Sequence, residues 1–150
     1  MAEKYDIYIA SPFFTTEERE NCIKVIKFFR ASGYKVYAPM EHEIKDAWGL
    51  SNSDWGYEVF CEDICAISSC RAMVVLDYGL YSDSGTAWEC GYAFAKNIPV
   101  CHVMCSDGMC YKYSLMMING NNKRIFYTLE DLLNGHGKMT EEEIRNIEVK

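Results

Sequence analysis

The sequence predicts a single α/β domain over residues 1–150. It should hold about five strands in a mainly parallel sheet with helices on both faces, of the flavodoxin-like or Rossmann-like kind. Three observations carry this expectation. Short runs rich in β-branched and aromatic residues alternate with longer stretches whose apolar residues recur at helical spacing. Gly, Pro or a polar cluster punctuates most changes from one to the other. No repeat, low-complexity tract or linker divides the 150 residues, which suffice for one domain with a sizeable core. Strands that alternate with helices throughout imply a mainly parallel sheet with right-handed crossovers.

Residues 5–10 form the first strand, and Pro12 lies in the loop that ends it. Thr15 or Thr16 caps a helix whose Glu17 and Glu18 suit its positive end; Ile23, Ile26, Phe28 and Phe29 give its apolar spacing, and Gly33 stops it. Residues 34–38 are a second strand closed by Pro39. Residues 40–53, polar and irregular, read as a mobile loop over a ligand crevice. Asp54 caps a helix over 55–69, with Val59, Phe60, Cys61, Ile64, Cys65 and Ile67 as its buried stripe. Residues 73–76 are the third strand; the chain breaks at Gly79 and starts a helix near Thr86 that runs to Asn97. Residues 99–104 are the fourth strand, and 106–122 are loop-rich around the apolar run 115–118. Residues 124–127 are the fifth strand, and 128–133 a helix. Thr140 and Glu143, at capping-box spacing, open a final short helix.

Composition excludes several classes of function. Apolar residues make up 49% and charged residues 25%, as in globular proteins. A net charge of −7 without a dense Lys/Arg patch excludes a nucleic-acid polymer as main partner, but not neutral nucleosides or bases. No apolar run approaches the ~20 residues that span a bilayer, and residues 1–6 lack the shape of a secretory leader, so no membrane partner and a cytoplasmic location are expected. The eight cysteines lie mostly in apolar or helical segments, where free thiols act as small hydrophobes. Cys101, His102, Cys105 and Cys110 invite a metal reading. Strand alternation puts Cys101 and Cys105 on one face and His102 on the other, and no Cys-x-x-Cys pair exists, so no metal site is expected.

Chemistry concentrates where the first and third strands end, at the switch-point crevice of such folds. Tyr8, Ser11 and Phe14 come there from the first strand, and Asp77, Asp83 and Glu89 from the third strand and the following helix. Carboxylates, a phenol, a hydroxyl and aromatic rings suit a sugar–base conjugate. Glu89 admits two readings: with Thr86 it matches a capping box, and at a helix N-terminus it also matches an ionised, preorganised nucleophile. Asp83, beside Ser84 and Gly85, can be a turn residue or a ligand. Asp77, at a strand end, has less structural reason to be acidic, and Asp63, flanked by apolar residues, needs a partner if buried. The three histidines read as surface or structural, and no phosphate-cradling glycine loop occurs.

Three motifs, Tyr8-Ile-Ala-Ser-Pro-Phe-Phe14, Asp63-x-x-x-Ile67 and Asp83-x-Gly-x-x-x-Glu89-x-Gly-Tyr-Ala93, resemble the nucleoside 2-deoxyribosyltransferase family in order and spacing across residues 5–133. The resemblance implies exchange of a base on 2-deoxyribose without a cofactor, the partners being a deoxyribonucleoside and a free nucleobase. It implies Glu89 as nucleophile, Asp83 on the sugar hydroxyls, Asp63 at the base, Tyr8 orienting Glu89, Phe14 as an aromatic wall, and Glu43 near a base-contacting position. It also implies a symmetric homo-oligomer with shared sites, in which the 115–118 run is a candidate interface segment. Family members often carry Asn-Leu-Met where this chain has Ser114-Leu115-Met116, reaching into a neighbouring subunit's site. Two other readings stay open: an N-glycosidase of deoxynucleosides or their 5′-monophosphates, with Ser11, Ser84 and Gly85 on the phosphate, and a nucleoside-sensing module without turnover.

Overall fold

The structure, a computed structural model, describes residues 3–42, 49, 51–79, 81–105, 112–121, 124–126, 128–135, 140, 142, 145 and 146. Five strands pair in parallel in the order β2-β1-β3-β4-β5: β1 (Ile7–Ala10), β2 (Val36–Tyr37), β3 (Ala72–Asp77), β4 (Val100–Met104) and β5 (Ile125–Phe126). The order reverses between β1 and β3, as expected for the flavodoxin-like fold, and leaves a crevice beyond their carboxyl ends. The helices are α1 (Thr16–Ala31), α2 (Asn52–Ser69), α3 (Ser84–Ala95), α4 (Leu115–Asn119) and α5 (Leu129–Leu133), with a 3₁₀ turn at Pro39–Glu41.

Side-chain parity along the strands splits the core into two layers. Ile7, Ile9, Val74, Leu76 and Val103 pack with Cys22, Val25 and Ile26 of α1 and with Leu129 and Leu132 of α5. Tyr8, Ala10, Tyr37, Met73, Val75 and Val100 face the other way, onto Ala66 and Ile67 of α2, Cys90 and Ala93 of α3, and Met117 of α4. Cys101 and Cys105 pack on the α1/α5 side, whereas His102 is wholly buried on the opposite face, as alternation requires.

The helix starts differ from expectation in ways that matter for the site. Thr15, not Thr16, caps α1 in a full capping box with Glu18. The cap of α2 is Ser51, which accepts from the Asp54 amide, so Asp54 lies inside the first turn and the helix begins at Asn52 rather than Trp55. A serine oxygen satisfies that free amide as well as a carboxylate does. α3 begins at Ser84, two residues before Thr86, because Asp83 caps it.

The buried stripe expected on α2 is only partly buried: Ile67 is buried, Val59, Cys61 and Ile64 are half-buried, and Cys65 and Phe60 are exposed. At about 1.5 Å per residue, the 18 residues of α2 outrun strands of two to six residues, and its first half has no sheet beneath it. Ile23 of α1 is likewise exposed, its place in the seam taken by Cys22 and Val25. Within the stretch read as loop around 115–118, residues 115–119 are helical. Of the 40–53 loop, 43–48 and 50 lie outside the described residues, as do Glu43, Cys110 and Glu143.

Candidate active site

Four groups meet at the carboxyl edge of the sheet, on the α2/α3 side. Tyr8 is placed by strand parity: it faces α2 and α3 and is wholly buried. Asp63 lies one helical turn before the buried Ile67, so α2 turns it towards the sheet edge. Glu89 stands three residues after buried Thr86 and four before buried Ala93, on the sheet-facing side of α3. Asp83 sits at the start of the same helix.

The capping-box reading of Glu89 is corrected by this geometry. Asp83 Oδ2 accepts from the Thr86 amide (2.8 Å) and from Thr86 Oγ1 (2.9 Å). Thr86 is therefore already inside the helix, and its amide has a partner. Glu89, in the second turn, has no cap to make. A Cβ on Gly85 would come within 3.3 Å of Asp83 Oδ2, so the missing side chain there leaves room for the capping carboxylate.

Released from capping, Glu89 is largely buried, and its Oε2 has no hydrogen-bond partner; the same is true of the Tyr8 hydroxyl. Burial pushes the Glu89 carboxyl up to about 8. The Tyr8 phenol pulls it down, while the charges of Asp63 and Asp83 push it further up. Burial thus acts against the helix N-terminus that was expected to hold Glu89 ionised. The dipole's influence fades within the first turn, and Glu89 lies beyond it with two carboxylates for neighbours. Tyr8 is pushed far above the ordinary phenol range, by burial first and then by Glu89 and Asp63.

Asp63 is half-buried and rises to about 6, chiefly by desolvation. Its partner is Tyr37, whose hydroxyl donates to Oδ1 at 3.1 Å and lowers the carboxyl; Glu62 raises it and His42 lowers it. The sequence reading missed Tyr37. The signal was available: pairing of the first two strands sets Tyr37 level with Tyr8, and parity turns both the same way. Their rings stack at 5.4 Å and 12°. His42, read as surface or structural, is exposed but stacks on Tyr37 at 4.0 Å.

Asp77 is corrected from crevice ligand to internal tie. It is 1% exposed; Oδ1 accepts from the Gly79 amide (3.1 Å) and Ser82 Oγ (2.8 Å), and Oδ2 lies 3.0 Å from Nε2 of buried His102. Gly79, at φ +109°, makes the turn that brings its amide back to Asp77. Ser11 is also buried, with its hydroxyl donating to the Pro12 carbonyl at 2.8 Å. Phe14 is 76% exposed and stacks on Phe13, over which Arg19 lies. Ser114 caps α4 without a side-chain hydrogen bond, and Met116 is exposed while Met117 and Ile118 are buried. A groove of about 920 Å³, lined by Asp6, Arg71, Pro99 and Arg124 among others, lies at the opposite edge of the sheet, where those residues precede their strands.

A buried glutamate ringed by a phenol and two further carboxylates, at the switch point of a 2-1-3-4-5 sheet, fits work at a glycosidic carbon. The model of the nucleoside 2-deoxyribosyltransferase family matches residues 7–143. The chain belongs to this family. Its fold is similar to that of a 2-deoxyribosyltransferase from the psychrotolerant bacterium Bacillus psychrosaccharolyticus, with 25% identity, 93% of this chain and 95% of that one covered, and a TM-score of 0.71. A conserved protein from Enterococcus faecalis V583 shares the fold at 23% identity and TM-score 0.66, covering 95% and 98% of the two chains. So does a CMP N-glycosidase from Clostridium botulinum, at 18% identity and TM-score 0.58, covering 87% and 95%. No curated protein sequence matches the chain. As a nucleoside 2-deoxyribosyltransferase family member, the chain is expected to act on nucleosides and nucleobases. Among the described residues, no set of His, Cys, Asp and Glu is arranged to hold a metal ion, and no helix is long and apolar enough to cross a membrane.

Proposed function

We propose that this chain moves 2-deoxyribose between nucleobases by a retaining double displacement at Glu89. The observation that carries the reading is the convergence of Tyr8, Asp63 and Asp83 on one buried glutamate freed from capping. The Glu89 carboxylate attacks C1′ opposite the base. The C1′–N bond breaks with its electron pair going to the base nitrogen, which takes the Asp63 proton. A second base then attacks C1′, displaces Glu89 and returns its proton to Asp63, so the configuration is retained overall. Tyr8 orients Glu89, Asp83 meets the sugar hydroxyls beside its capping bond, exposed Phe14 stacks on the base and Gly85 lies beside the sugar, while the base contact that the family resemblance implies for Glu43 is part of the same proposal. No cofactor is needed, since the glutamate and the leaving base account for every bond. A role in nucleoside salvage and a cytoplasmic location belong to the same proposal.

The chain is further proposed to work as a homo-oligomer with shared sites. In support, Leu115 and Met116 are exposed beside Ser114, and Trp55, Tyr57, Phe60 and Trp88 leave the outer faces of α2 and α3 apolar. Such faces are usually covered by another chain. Sedimentation of the purified protein tests this, and a monomer at micromolar concentration refutes it.

The second reading is N-glycosidic hydrolysis of a deoxynucleoside 5′-monophosphate. Arg19, held over Phe13 beside the strand-end loop, is the cation that favours it. Deoxyinosine or its 5′-phosphate, incubated with and without free adenine or cytosine, separates the outcomes. A new deoxynucleoside supports transfer. Free sugar or sugar phosphate supports hydrolysis, and unchanged substrate that binds supports sensing alone. Glu89→Ala should abolish transfer with the fold intact, and wild-type turnover in that variant sinks the mechanism.

A further inference from the structure

We propose that Tyr37 is a positioning residue for the base-side carboxyl: its hydroxyl holds Asp63 Oδ1, and its ring is fixed in turn by Tyr8, His42 and Tyr5. The proposal rests on the deoxyribosyl-transfer reading above, in which Asp63 protonates the leaving base.

Three observations carry it. The hydroxyl donates to Asp63 Oδ1 at 3.1 Å, across 26 residues of sequence. The Tyr37 side chain is clamped on several sides: near-parallel to Tyr8 (5.4 Å, 12°) and to His42 (4.0 Å, 12°), with Tyr5 edge-on at 5.0 Å. Tyr37 is 4% exposed, so the hydroxyl has few alternative positions. A donor on Oδ1 leaves Oδ2 as the atom to carry the carboxyl proton, which fixes where a leaving base can receive it. The bond also favours the ionised carboxylate. The groups facing Asp63 are Tyr37 from β2, Glu62 from α2 itself, His42 from beyond the 3₁₀ turn, and Tyr8 and Glu89 from β1 and α3. Of these, Tyr37 is the one that hydrogen-bonds Asp63.

Tyr37→Phe removes one oxygen and keeps the ring stack. Titration of the Asp63 carboxyl by ¹³C NMR in the substrate-free protein should then show its midpoint moving to higher pH, because the ionised form has lost its donor. Transfer should lose on the order of tenfold in kcat with KM for the nucleoside nearly unchanged, a fraction of what a positioned general acid supplies. In an Asp63→Asn background the same substitution should cost less than about twofold, since a residue acting through Asp63 has nothing left to position. An Asp63 midpoint that stays put, or an equal loss in both backgrounds, overturns the proposal. The titration needs no turnover, so it decides the role of Tyr37 even if the wild-type protein transfers no sugar.

Discussion

Glu89→Gln should make the protein markedly more stable, with a pH dependence fixed by the site. In the unfolded chain this carboxyl titrates at its ordinary 4.5, and in the folded protein at about 8. Its neutral form is therefore favoured by folding. The protein is at full stability with respect to this group below pH 4.5 and loses stability as pH rises towards 8. Each pH step between the two values costs about 1.4 kcal/mol. The burden is about 1 kcal/mol at pH 5, about 3 at pH 7 and close to 5 above pH 9. Glutamine has nearly the same shape, carries no charge and still faces the Tyr8 phenol, so Glu89→Gln should lift most of that cost. Urea unfolding of both proteins at pH 5, 7 and 9 reads the difference directly, as a gap in midpoint that widens with pH at constant slope. A gap independent of pH, or a variant less stable at pH 7, would refute the assignment of Glu89 as a desolvated carboxylic acid among like charges.

In the proposed transfer the same two carboxyls would set the activity profile. With Asp63 near 6 and Glu89 near 8, the transfer-competent form, Asp63 protonated and Glu89 ionised, holds about one tenth of each group at pH 7 and so about 1% of the molecules. kcat/KM for deoxyinosine should be level from about pH 6 to 8 and fall about tenfold per pH unit on either side; a rate climbing steadily from pH 5 to 9 contradicts this. Asp83→Asn should keep the cap and most stability while transfer drops at least tenfold, whereas Asp83→Ala should also lose about 1 kcal/mol in urea unfolding. Equal activity in Asp83→Asn and wild type would reduce Asp83 to a cap. Asp77→Ala should cost about 1–3 kcal/mol, because it leaves the Gly79 amide without its acceptor, takes one acceptor from Ser82 and removes the carboxylate 3.0 Å from buried His102. A loss below about 1 kcal/mol would remove Asp77 from the internal tie.

Much of this was legible in the sequence because it depends on period and punctuation. The five strands were legible because Ile, Val and Tyr cluster between Gly and Pro, and their parallel pairing because helical stretches separate them. Tyr8, Asp63 and Glu89 were singled out by their match to the family motifs, and the fold sets them near one another. What was not legible depended on register and on two-residue shifts. Asp77 and Asp83 look alike as loop carboxylates, yet one is buried against His102 and the other caps α3; only the third dimension puts His102, 25 positions along, beneath Asp77. Tyr37 was passed over because a two-residue strand carries almost no periodic signal, although its register with Tyr8 determines what it touches. The α2 stripe misled for a different reason: an amphipathic pattern shows which residues share a face, but not how much sheet lies under it.

The start of α3 decides what Glu89 is free to do. Had Thr86 been the N-cap, Glu89 would occupy the third helical position and spend its carboxylate on its own cap, exposed and ionised. Asp83, with room left by the missing Cβ of Gly85, caps it three residues sooner. That offset rotates Glu89 onto the sheet side, one turn above Ala93 and in front of Tyr8, where water is scarce and no amide is waiting for it. Burial then raises its proton affinity, an obstacle for the nucleophile proposed above, which must be ionised to attack. The Tyr8 hydroxyl offsets part of that obstacle from one side. The positive charge that builds on the sugar ring as the base departs offsets more of it from the other. A carboxylate poorly solvated before reaction has the most to gain from that charge, so in the proposed mechanism the desolvation that destabilises the fold would also favour the transition state over the resting site.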